Sequence, residues 1–594
     1  MPVDAECCGF GGGGGGATLD RFAPTYLVGN VPEGDSAVPY SSGGFNYVPD
    51  LGDGAGLASA LAAAAGNPGR VYFRRGTYDF GQPTSPATPI TVPIAVSLQG
   101  EGHASLLRGP ISGEGVLVAL LGSFLSDFDV ENTASDGPSV STALVRCVDS
   151  VGVENVTIRV TTSDTEGASL REGIRFEGMG PNPTQIHTAR NLFVTMLTKT
   201  IDSASTCVEV VSTILTGQTV VTLGGNRAMG LDASSVLIYS LVSFDWQNNG
   251  VLCRTSNCTV RLYNFVGFSD GSTATAKGIV LRGGGGSSLR ACIIQSPGPT
   301  SLKVGIEMAD PDGNNISGAE IEACIIGGVE RGIVGGRLAK FRMSVNDTVI
   351  TGCSIQANVA GIEFLNHQNN NLVIDGNTVA VNLVAPFLGG TAGIHLQGRA
   401  CRIVNNFVTL NYQGVFPPSP DFPPLAPKAH AIWSDGIDYG PQDPNFTQLN
   451  QIIGNNCIVN AAGYGIEVSS ERTVVTGNIT EASNESLGCI HLGGKLVFQT
   501  FQGVVRCIVG NNNCTQNTAI APVADLPAPI VCEGHHCSIS GNTIFYGAPV
   551  PASGIVMTAS SHDSAMTGNV NDGGGAPCVA DYGVLNSGVN NIGA

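Results

Sequence analysis

Charged residues are scarce in this sequence, and basic ones are the scarcest. Only 13% of the 594 residues are charged, and 28 Lys and Arg stand against 47 Asp and Glu, which gives a net charge of -19. Without a cluster of Lys and Arg, a chain gains little free energy from releasing the counterions of phosphates. The composition therefore argues against a nucleic-acid partner and against an anionic membrane surface.

Long apolar runs and a secretory leader are also missing. The longest apolar run, residues 116–125, is half the roughly 20 residues that cross a bilayer, and Gly122 interrupts it. The first residues, MPVDAECCGFGGGGGG, have neither a basic start nor an apolar segment of the secretory kind. We therefore expect a soluble protein that is made in a cytoplasm and does not insert into a membrane.

Glycine and asparagine are abundant instead, and they recur at a regular period. A segment of the form Gly-Ile-x-apolar, in which single residues vary, begins at residues 250, 278, 305, 332, 361, 393, 465 and 554. Related segments without the glycine begin at residues 489 and 529. A second segment places Gly-Asn or Asn-Asn between two apolar strands, as at Gly376-Asn377 and Asn405-Asn406. These residue types tolerate the left-handed backbone of a sharp turn. Short strands repeated in this way bury an apolar face only when coils stack on one another, so the repeat predicts an all-β right-handed parallel β-helix, a solenoid.

The cysteines fit this repeat. Seventeen is an odd number, so complete intrachain pairing is excluded. Four of them precede an Ile of the second segment type by one or two residues, namely Cys292, Cys324, Cys353 and Cys457. A free thiol packs as a small apolar group, so we interpret these residues as an inward column that needs no disulfide.

Two short stretches contain residue types that bind metal ions. One is Asp310-Pro311-Asp312-Gly313-Asn314-Asn315, and the other holds Cys532, His535, His536 and Cys537. The first lacks the glycine and the glutamate of a calcium loop at the sixth and twelfth positions, and the second is equally well explained by a turn between two strands. We therefore expect no bound metal and no cofactor.

Residues 46–80 depart from the repeat. Asp50-Leu51-Gly52-Asp53-Gly54 precedes an Ala-rich helix predicted over residues 57–65, and a strand and Gly76-Thr77-Tyr78 follow it. This order resembles the opening of the pectate-lyase-like superfamily. The resemblance implies an N-terminal capping helix that covers the exposed edge of the first coil, and a parallel β-helix over residues 81–594. It also implies an alternative function, that of a polysaccharide lyase or glycoside hydrolase.

Residues 1–45 are expected to form a flexible arm, with Gly11 to Gly16 as a tether and the β-prone Thr25-Tyr26-Leu27-Val28 able to add to a partner's sheet. A β-helix with such an arm is similar in architecture to the spike and fibre proteins of tailed phages. That similarity implies a virion spike, fibre or decoration protein, made in the host cytoplasm, which contacts other virion proteins through residues 1–45 and host-surface polysaccharide through its β-helix. We expect a homotrimer or another homo-oligomer, with Cys7 and Cys8 available for interchain links.

Candidate site residues come from the variable position of the Gly-Ile-x-apolar segment. Ile points inward, so x points outward. On five neighbouring coils x is Glu363, His395, Trp433, Glu467 and His491. An indole stacks on the C–H face of a sugar ring, while carboxylates and imidazoles bond its hydroxyls, so the column is predicted to bind carbohydrate. A polar outward stripe without any ligand is the alternative, since every solenoid has polar outward positions.

An insertion over residues 415–447 lies beside this column and carries Tyr439, a further ligand-binding candidate, and Asp435. Hydrolysis of a glycosidic bond needs two carboxyl groups about 5 to 9.5 Å apart. Asp435 and Glu467 are the candidate catalytic pair, provided that the insertion folds onto the next coil. A lyase needs a base and a cation, and no stacked cluster of Asp with Arg or Lys is evident, so the sequence leaves enzymatic activity open.

Overall fold

A computed structural model divides the chain into two compact units, Met1–Thr200 and Ile201–Ala594. The structure describes residues 25–29, 45–50, 52–80, 89–110, 115–133, 143–161, 172–179, 185–197, 205–269, 275–283, 285–297, 302–309, 314–335, 344–383, 391–412, 429–435, 449–461, 463–483, 486–493, 495–497, 500–502, 506–517, 528–546, 553–572 and 577–593. Within these ranges no helix has the length and apolarity that crossing a bilayer requires. Cys7, Cys8, Tyr439 and residues 310–313 lie outside them.

The first unit consists of three stacks of parallel strands. Its first stack runs Phe45–Pro49, Thr25–Gly29, Arg70–Phe73, Ser97–Gln99, Phe124–Thr133, Gly152–Thr161 and Ile186–Arg190. The second runs Gly76–Asp79, Ser105–Pro110, then the ends of Phe124–Thr133 and Gly152–Thr161, and Leu192–Leu197. The third runs Ile90–Val92, Leu117–Ala119, Ala143–Val148 and Glu172–Glu177. Thr25–Gly29 has a strand on each side, so it is not a free edge for a partner's sheet.

Helix α1 spans Ala55–Gly66, and a short 3-10 turn spans Gly102–Ala104. The carboxylate of Asp50 accepts the backbone N–H groups of Gly52, Gly54 and Leu57, so it satisfies donors at the start of α1 that the helix itself cannot use. One side of α1 is buried, including Leu57 and Leu61. The helix predicted over residues 57–65 is therefore present, while its role as a cap stays a prediction, as do the domain boundaries at residues 45 and 80.

In the second unit, the described strands form three parallel sheets, to which successive coils contribute in turn. Sheet 1 contains Thr206–Val211, Arg227–Asp232, Asn249–Cys253, Lys277–Leu281, Leu302–Met308, the end of Ile325–Gly335, the middle of Ser354–Asn370, Thr391–Arg399, Ala429–Asp435, Tyr464–Val468, Gly488–Leu492, Ile530–Cys532, Ile555–Met557 and Val579–Asp581.

Sheet 2 contains Ile214–Gly217, Ser235–Ile238, Thr259–Tyr263, Ser288–Arg290, Glu320–Glu322, Val349–Thr351, Val373–Asp375, Arg402–Val404, Gln451–Ile453, Val474–Thr476, Ile508–Gly510, Ser538–Ser540, Ala565–Thr567 and Ser587–Val589. Sheet 3 contains Val220–Gly224, Leu241–Trp246, Phe265–Ser269, Ile293–Gln295, the starts of Ile325–Gly335 and Ser354–Asn370, Thr378–Leu383, Phe407–Tyr412, Asn456–Asn460, Ile479–Ala482, Asn513–Gln516, Thr543–Tyr546, Val570–Asp572 and Ile592–Gly593.

Two smaller features complete the described strands of this unit. Ile316–Ser317, Val345–Asn346 and the end of Ser354–Asn370 form a short extra stack, and Lys495–Val497 pairs with Thr500–Gln502 as an antiparallel hairpin. Every pairing in the three sheets is parallel and joins successive coils. The predicted all-β parallel β-helix is therefore confirmed.

The corner between sheets 2 and 3 contains a ladder of asparagines. In each Gly-Asn or Asn-Asn pair the first residue adopts a left-handed backbone, for example Asn405 (φ 54°) and Gly454 (φ 66°), and the second residue points inward. Each inward amide donates through Nδ2 to the Oδ1 of the next, at 2.8–3.0 Å, along Asn377, Asn406, Asn455, Asn478, Asn512, Asn542, Asn569 and Asn591. The turn was predicted from the sequence, but the ladder of buried hydrogen bonds was not.

On earlier coils, cysteines occupy the corner between sheets 2 and 3 in place of the asparagines. Cys292, Cys324 and Cys353 occupy it, and the backbone N–H of Cys353 donates to Oδ1 of Asn377, where the ladder begins. Cys457 differs from the prediction, because it lies inside a strand of sheet 3. All described cysteines are free and buried. Burial raises the pKa of the Cys207 and Cys401 thiols to about 12, so these groups are inert packing groups at neutral pH.

Candidate functional site

The five outward residues predicted from the repeat lie in one column of sheet 1. Glu363 pairs with His395, His395 with Trp433, Trp433 with Glu467, and Glu467 with His491. The column is flanked by Val334 and Val531, one coil before and one coil after. The Gly-Ile register thus places side chains from five successive coils side by side.

These side chains are buried, whereas the sequence predicted an exposed column. Glu363 is 3% exposed, His395 6%, Glu467 6% and His491 4%, and Trp433 is half-buried. Strand alternation sets the direction of a side chain but not what lies beside it. Here a second row supplies large neighbours two residues before the inward Ile of the coil, namely Arg331, His430 and Tyr464, which contact Glu363, Trp433 and His491. The row faces outward because the alternation is interrupted beside it; a side chain at Gly332, for example, would meet the core residue Ile355. We call the two rows, together with Asp435, the outer cluster.

At one end of the outer cluster lies a buried ion pair. Nη1 of Arg331 donates to both carboxylate oxygens of Glu363, at 2.9 and 2.8 Å, and the two residues are 1% and 3% exposed. Glu330 lies 3.6 Å from Nε of Arg331 and forms an ion pair with Lys303. A buried pair of this kind is costly to break, because the remaining charge stays in a poorly solvated place.

In the middle of the outer cluster, the Trp433 indole stacks on His395 with ring centroids 4.1 Å apart and an angle of 6°. One face of the indole is therefore covered by a protein ring, so it is not open to a sugar as the sequence predicted. Nε1 of Trp433 and Nε2 of His395 are buried and have no hydrogen-bond partner among the described residues. Asp435, 5% exposed, accepts a 2.7 Å hydrogen bond from Gln397, and its Oδ2 lies 3.6 Å from Nε2 of His395.

At the other end, His491 lies between two carboxylates. Its Nδ1 is 2.7 Å from Oε2 of Glu467, its Nε2 is 3.6 Å from Glu533, and its ring stacks on Tyr464 at 4.4 Å. Burial lowers the pKa of His491, but Glu467 and Glu533 outweigh this effect and raise the pKa to about 9. The imidazole is therefore a cation at neutral pH.

The two candidate catalytic carboxyls come from adjacent coils. Ser434 pairs with Val468, so Asp435 lies one coil before Glu467 and two residues further along the strand. With strands about 4.8 Å apart and a rise of about 3.3 Å per residue, the two Cα atoms are about 8 Å apart. The structure thus brings Asp435 next to the column through strand Ala429–Asp435. Tyr439 lies outside the described residues.

A second concave site, which the sequence did not predict, lies in the first unit. A cavity of about 420 Å³ is lined by residues of successive coils: Gly102, His103, Asp127, Asn155, Thr157, Asn191 and Phe193. His103, an exposed side chain, is held at 2.7 Å by the buried carboxylate of Asp129, which also pairs with Arg159 at 2.7 Å. No Gly-Ile repeat marks this part of the chain, so the sequence carried no signal that these residues meet.

Comparisons with known proteins return solved structures of low identity. No protein-family model matches the chain, and no curated protein sequence matches it. Tailspike protein 3 of bacteriophage CBA120 is 10% identical, with a TM-score of 0.26; the similarity covers 92% of this chain and 60% of that protein, less than two thirds of its length.

A tailspike protein mutant of E. coli bacteriophage HK620, in complex with a hexasaccharide, is 10% identical with a TM-score of 0.30. The similarity covers 93% of this chain and 78% of that protein. The A-module of an Azotobacter vinelandii mannuronan C-5 epimerase is 12% identical with a TM-score of 0.16, over 92% of this chain and 97% of its own. At these identities and TM-scores the similarities assign no function to the chain.

Proposed function

We propose that the protein is a virion-attached spike, fibre or decoration protein whose outer cluster binds a host-surface polysaccharide. The observation that carries the proposal is the set of ionisable and aromatic side chains buried on the outer side of sheet 1. Burying charges on a face that a solenoid can leave in water costs stability, so such groups concentrate where they have a task. The buried Nε1 of Trp433 has no hydrogen-bond partner among the described residues and is left for a ligand, and Nε2 of His395, at 3.6 Å from Oδ2 of Asp435, is too far from that carboxylate for a hydrogen bond.

The chemistry of the outer cluster suits a hydroxyl-rich ligand. Carboxylates accept hydrogen bonds from hydroxyls, and an indole N–H donates to a hydroxyl or ring oxygen. The sugar would contact Trp433 away from the face that His395 covers. A net charge of -19 disfavours a densely anionic polysaccharide, so a neutral or weakly acidic one is expected.

Binding by the intact protein to a panel of host-surface polysaccharides tests this proposal. Trp433→Ala is expected to weaken binding at least about tenfold, since truncating an aromatic hot-spot residue costs about 2 kcal/mol. Tyr263→Ala is the matched control, because Tyr263 stacks on Tyr239 from the previous coil at 5.5 Å, away from the outer cluster. Equal affinity of the two variants, both with wild-type thermal unfolding, would move the binding surface elsewhere, with the cavity beside His103 as the next surface to test.

Attachment through the N-terminal arm is the second part of the proposal. Because Thr25–Gly29 belongs to a stack of the first unit, the deletion that spares the fold is residues 1–24. A virion protein would lose assembly onto particles while keeping its polysaccharide binding. A free enzyme would be indifferent to the deletion. Light scattering on the intact protein tests the homotrimer, and a monomeric mass would contradict it.

The second candidate function is that of a polysaccharide lyase or glycoside hydrolase, favoured by one observation. Asp435 and Glu467 lie on adjacent coils with Cα atoms about 8 Å apart, and side chains of this length can bring two carboxyl groups to the separation of about 5 to 9.5 Å that glycosidases use. If the protein cleaves its ligand, Glu467→Gln and Asp435→Asn should each abolish depolymerisation and change binding only a few-fold. Absence of product from the wild-type protein on a polysaccharide that it binds would refute cleavage.

A further inference from the structure

We propose that His536, His562 and Asp563 form a binding site for one divalent transition-metal cation of the Zn²⁺, Ni²⁺ or Cu²⁺ class. One ligand atom of each residue lies within 4.8 Å of the other two. Nδ1 of His562 is 2.9 Å from Oδ2 of Asp563. Ligands about 2.1 Å from a cation lie about 3 to 4 Å apart, so side-chain rotations suffice to close the set around an ion.

The fold brings these residues together at a corner of the solenoid. His535 and His562 form a β-bridge, and the backbone N–H of His536 donates to the carbonyl of His562 at 3.0 Å. His536 and Asp563 both have a φ of 53°, a left-handed conformation that is uncommon for residues other than glycine. The same conformation on consecutive coils places the two side chains next to each other on the outside.

His535 supports the position of one ligand. Its ring stacks on that of His562, with centroids 3.7 Å apart and an angle of 25°. Its own Nδ1 is buried and lacks a hydrogen-bond partner among the described residues. The stack limits the rotation of the His562 ring, which reduces the entropy that is lost when an ion binds.

The nearby thiols do not belong to this site. Cys532 and Cys537 are buried, and Sγ of Cys537 lies 3.5 Å from the carbonyl of His535. Of the stretch Cys532 to Cys537, only His536 belongs to the proposed site, because the cysteines point inward. The other two ligands, His562 and Asp563, come from the next coil, 26 and 27 residues after His536, so no short sequence motif contains all three.

The donor set selects the class of ion. Two imidazoles and one carboxylate suit borderline cations, whereas Ca²⁺ and Mg²⁺ prefer sites made of oxygen ligands. The side chains of His562 and Asp563 are 43% and 40% exposed, so an ion reaches them from solvent. Waters would complete its coordination.

The test is Zn²⁺ binding to the full-length chain, purified without a histidine tag and stripped with a chelator. Cys7→Ser and Cys8→Ser form the common background, so that these thiols do not bind Zn²⁺. Titration calorimetry should give one Zn²⁺ per chain, and His562→Ala and Asp563→Asn should each weaken the affinity at least about tenfold. His103→Ala, which removes an exposed histidine of the first unit, should leave it unchanged.

A second readout separates this site from adventitious thiol binding and from folding defects. Co²⁺ bound in place of Zn²⁺ should show an absorption spectrum without thiolate-to-metal charge transfer, and the ion should raise the thermal stability of the parent but not of Asp563→Asn. Asp563→Asn removes only a charge, so loss of fold does not explain its effect. Unchanged affinity in both variants, thiolate bands in the Co²⁺ form, or an affinity weaker than about 1 mM would overturn the proposal.

Discussion

Removing one amide from the asparagine ladder should destabilise the second unit far more than its small size suggests. In Asn455→Ala, the backbone N–H of Asn406 loses its acceptor, the Oδ1 of Asn455 at 2.9 Å. The carbonyl of Ile403 loses the donor Nδ2 at 2.9 Å. Asn455 is 0% exposed, so water does not replace its amide as the partner of these two groups. Each buried group without a partner costs about 1–3 kcal/mol, so we expect a total of about 3–5 kcal/mol, including the cavity.

The matched control lies on the same coil. Asn460 is half-buried and donates through Nδ2 to Oδ1 of Asn411 at 2.8 Å, in a row on the outside. Asn460→Ala should cost less than about 1 kcal/mol, because water replaces the lost partner. Guanidinium unfolding followed by circular dichroism measures both, and hydrogen exchange over residues 403–407 shows whether the damage is local. If Asn455→Ala cost no more than Asn460→Ala, the ladder would not stabilise the fold as argued.

Three further predictions concern charge and thiols. Arg331→Ala should lower the free energy of unfolding by about 3–5 kcal/mol, because it leaves the Glu363 carboxylate buried without its main partner. Thermal and denaturant unfolding measure this change, and a loss below about 1 kcal/mol would contradict the prediction. The pKa of His491 is raised to about 9, above its unfolded value of about 6.5, so the stabilisation is complete below pH about 6.5 and is lost as the pH rises through about 9. Unfolding of wild-type and Glu467→Gln protein across that range should show a larger loss in the wild type, because only Glu533 still faces His491 in the variant. In the native protein, a thiol reagent should leave all described cysteines unlabelled until denaturant is added.

The repeat predicted those properties of the fold that depend on period. The Gly-Ile start fixes where an inward Ile falls on every coil, and so the register between His395 and Trp433 followed from counting. The left-handed residues at the corners followed from the Gly-Asn and Asn-Asn pairs. The inward amide after each turn was harder to predict, because asparagine is usual in turns and its burial depends on a partner on every neighbouring coil.

The properties that depend on neighbours between coils were not predicted. Burial of the column follows from Arg331, His430 and Tyr464, which sit at a position of the repeat that holds small residues, Ala360 and Ala392, on other coils. The pairing of Arg331 with Glu363 joins residues from different positions of consecutive coils, and the meeting of His536 with His562 does the same. A pattern that averages over coils cannot reveal such single pairs.

The asparagine ladder also bears on how the length of this chain can change. Each amide makes the same bonds to the coil before and the coil after, so the corner is identical at every step from Asn377 onward. Removing one whole coil, for example from Asn455 to the residue before Asn478, brings Asn406 against Asn478 and restores the same bonds. Removing only the turn that carries one asparagine leaves its neighbours in the ladder without partners. The ladder therefore allows the number of coils to change in whole units, while the spacing of its members, 23 residues from Asn455 to Asn478 and 49 from Asn406 to Asn455, shows that the loops outside the corner can differ in length.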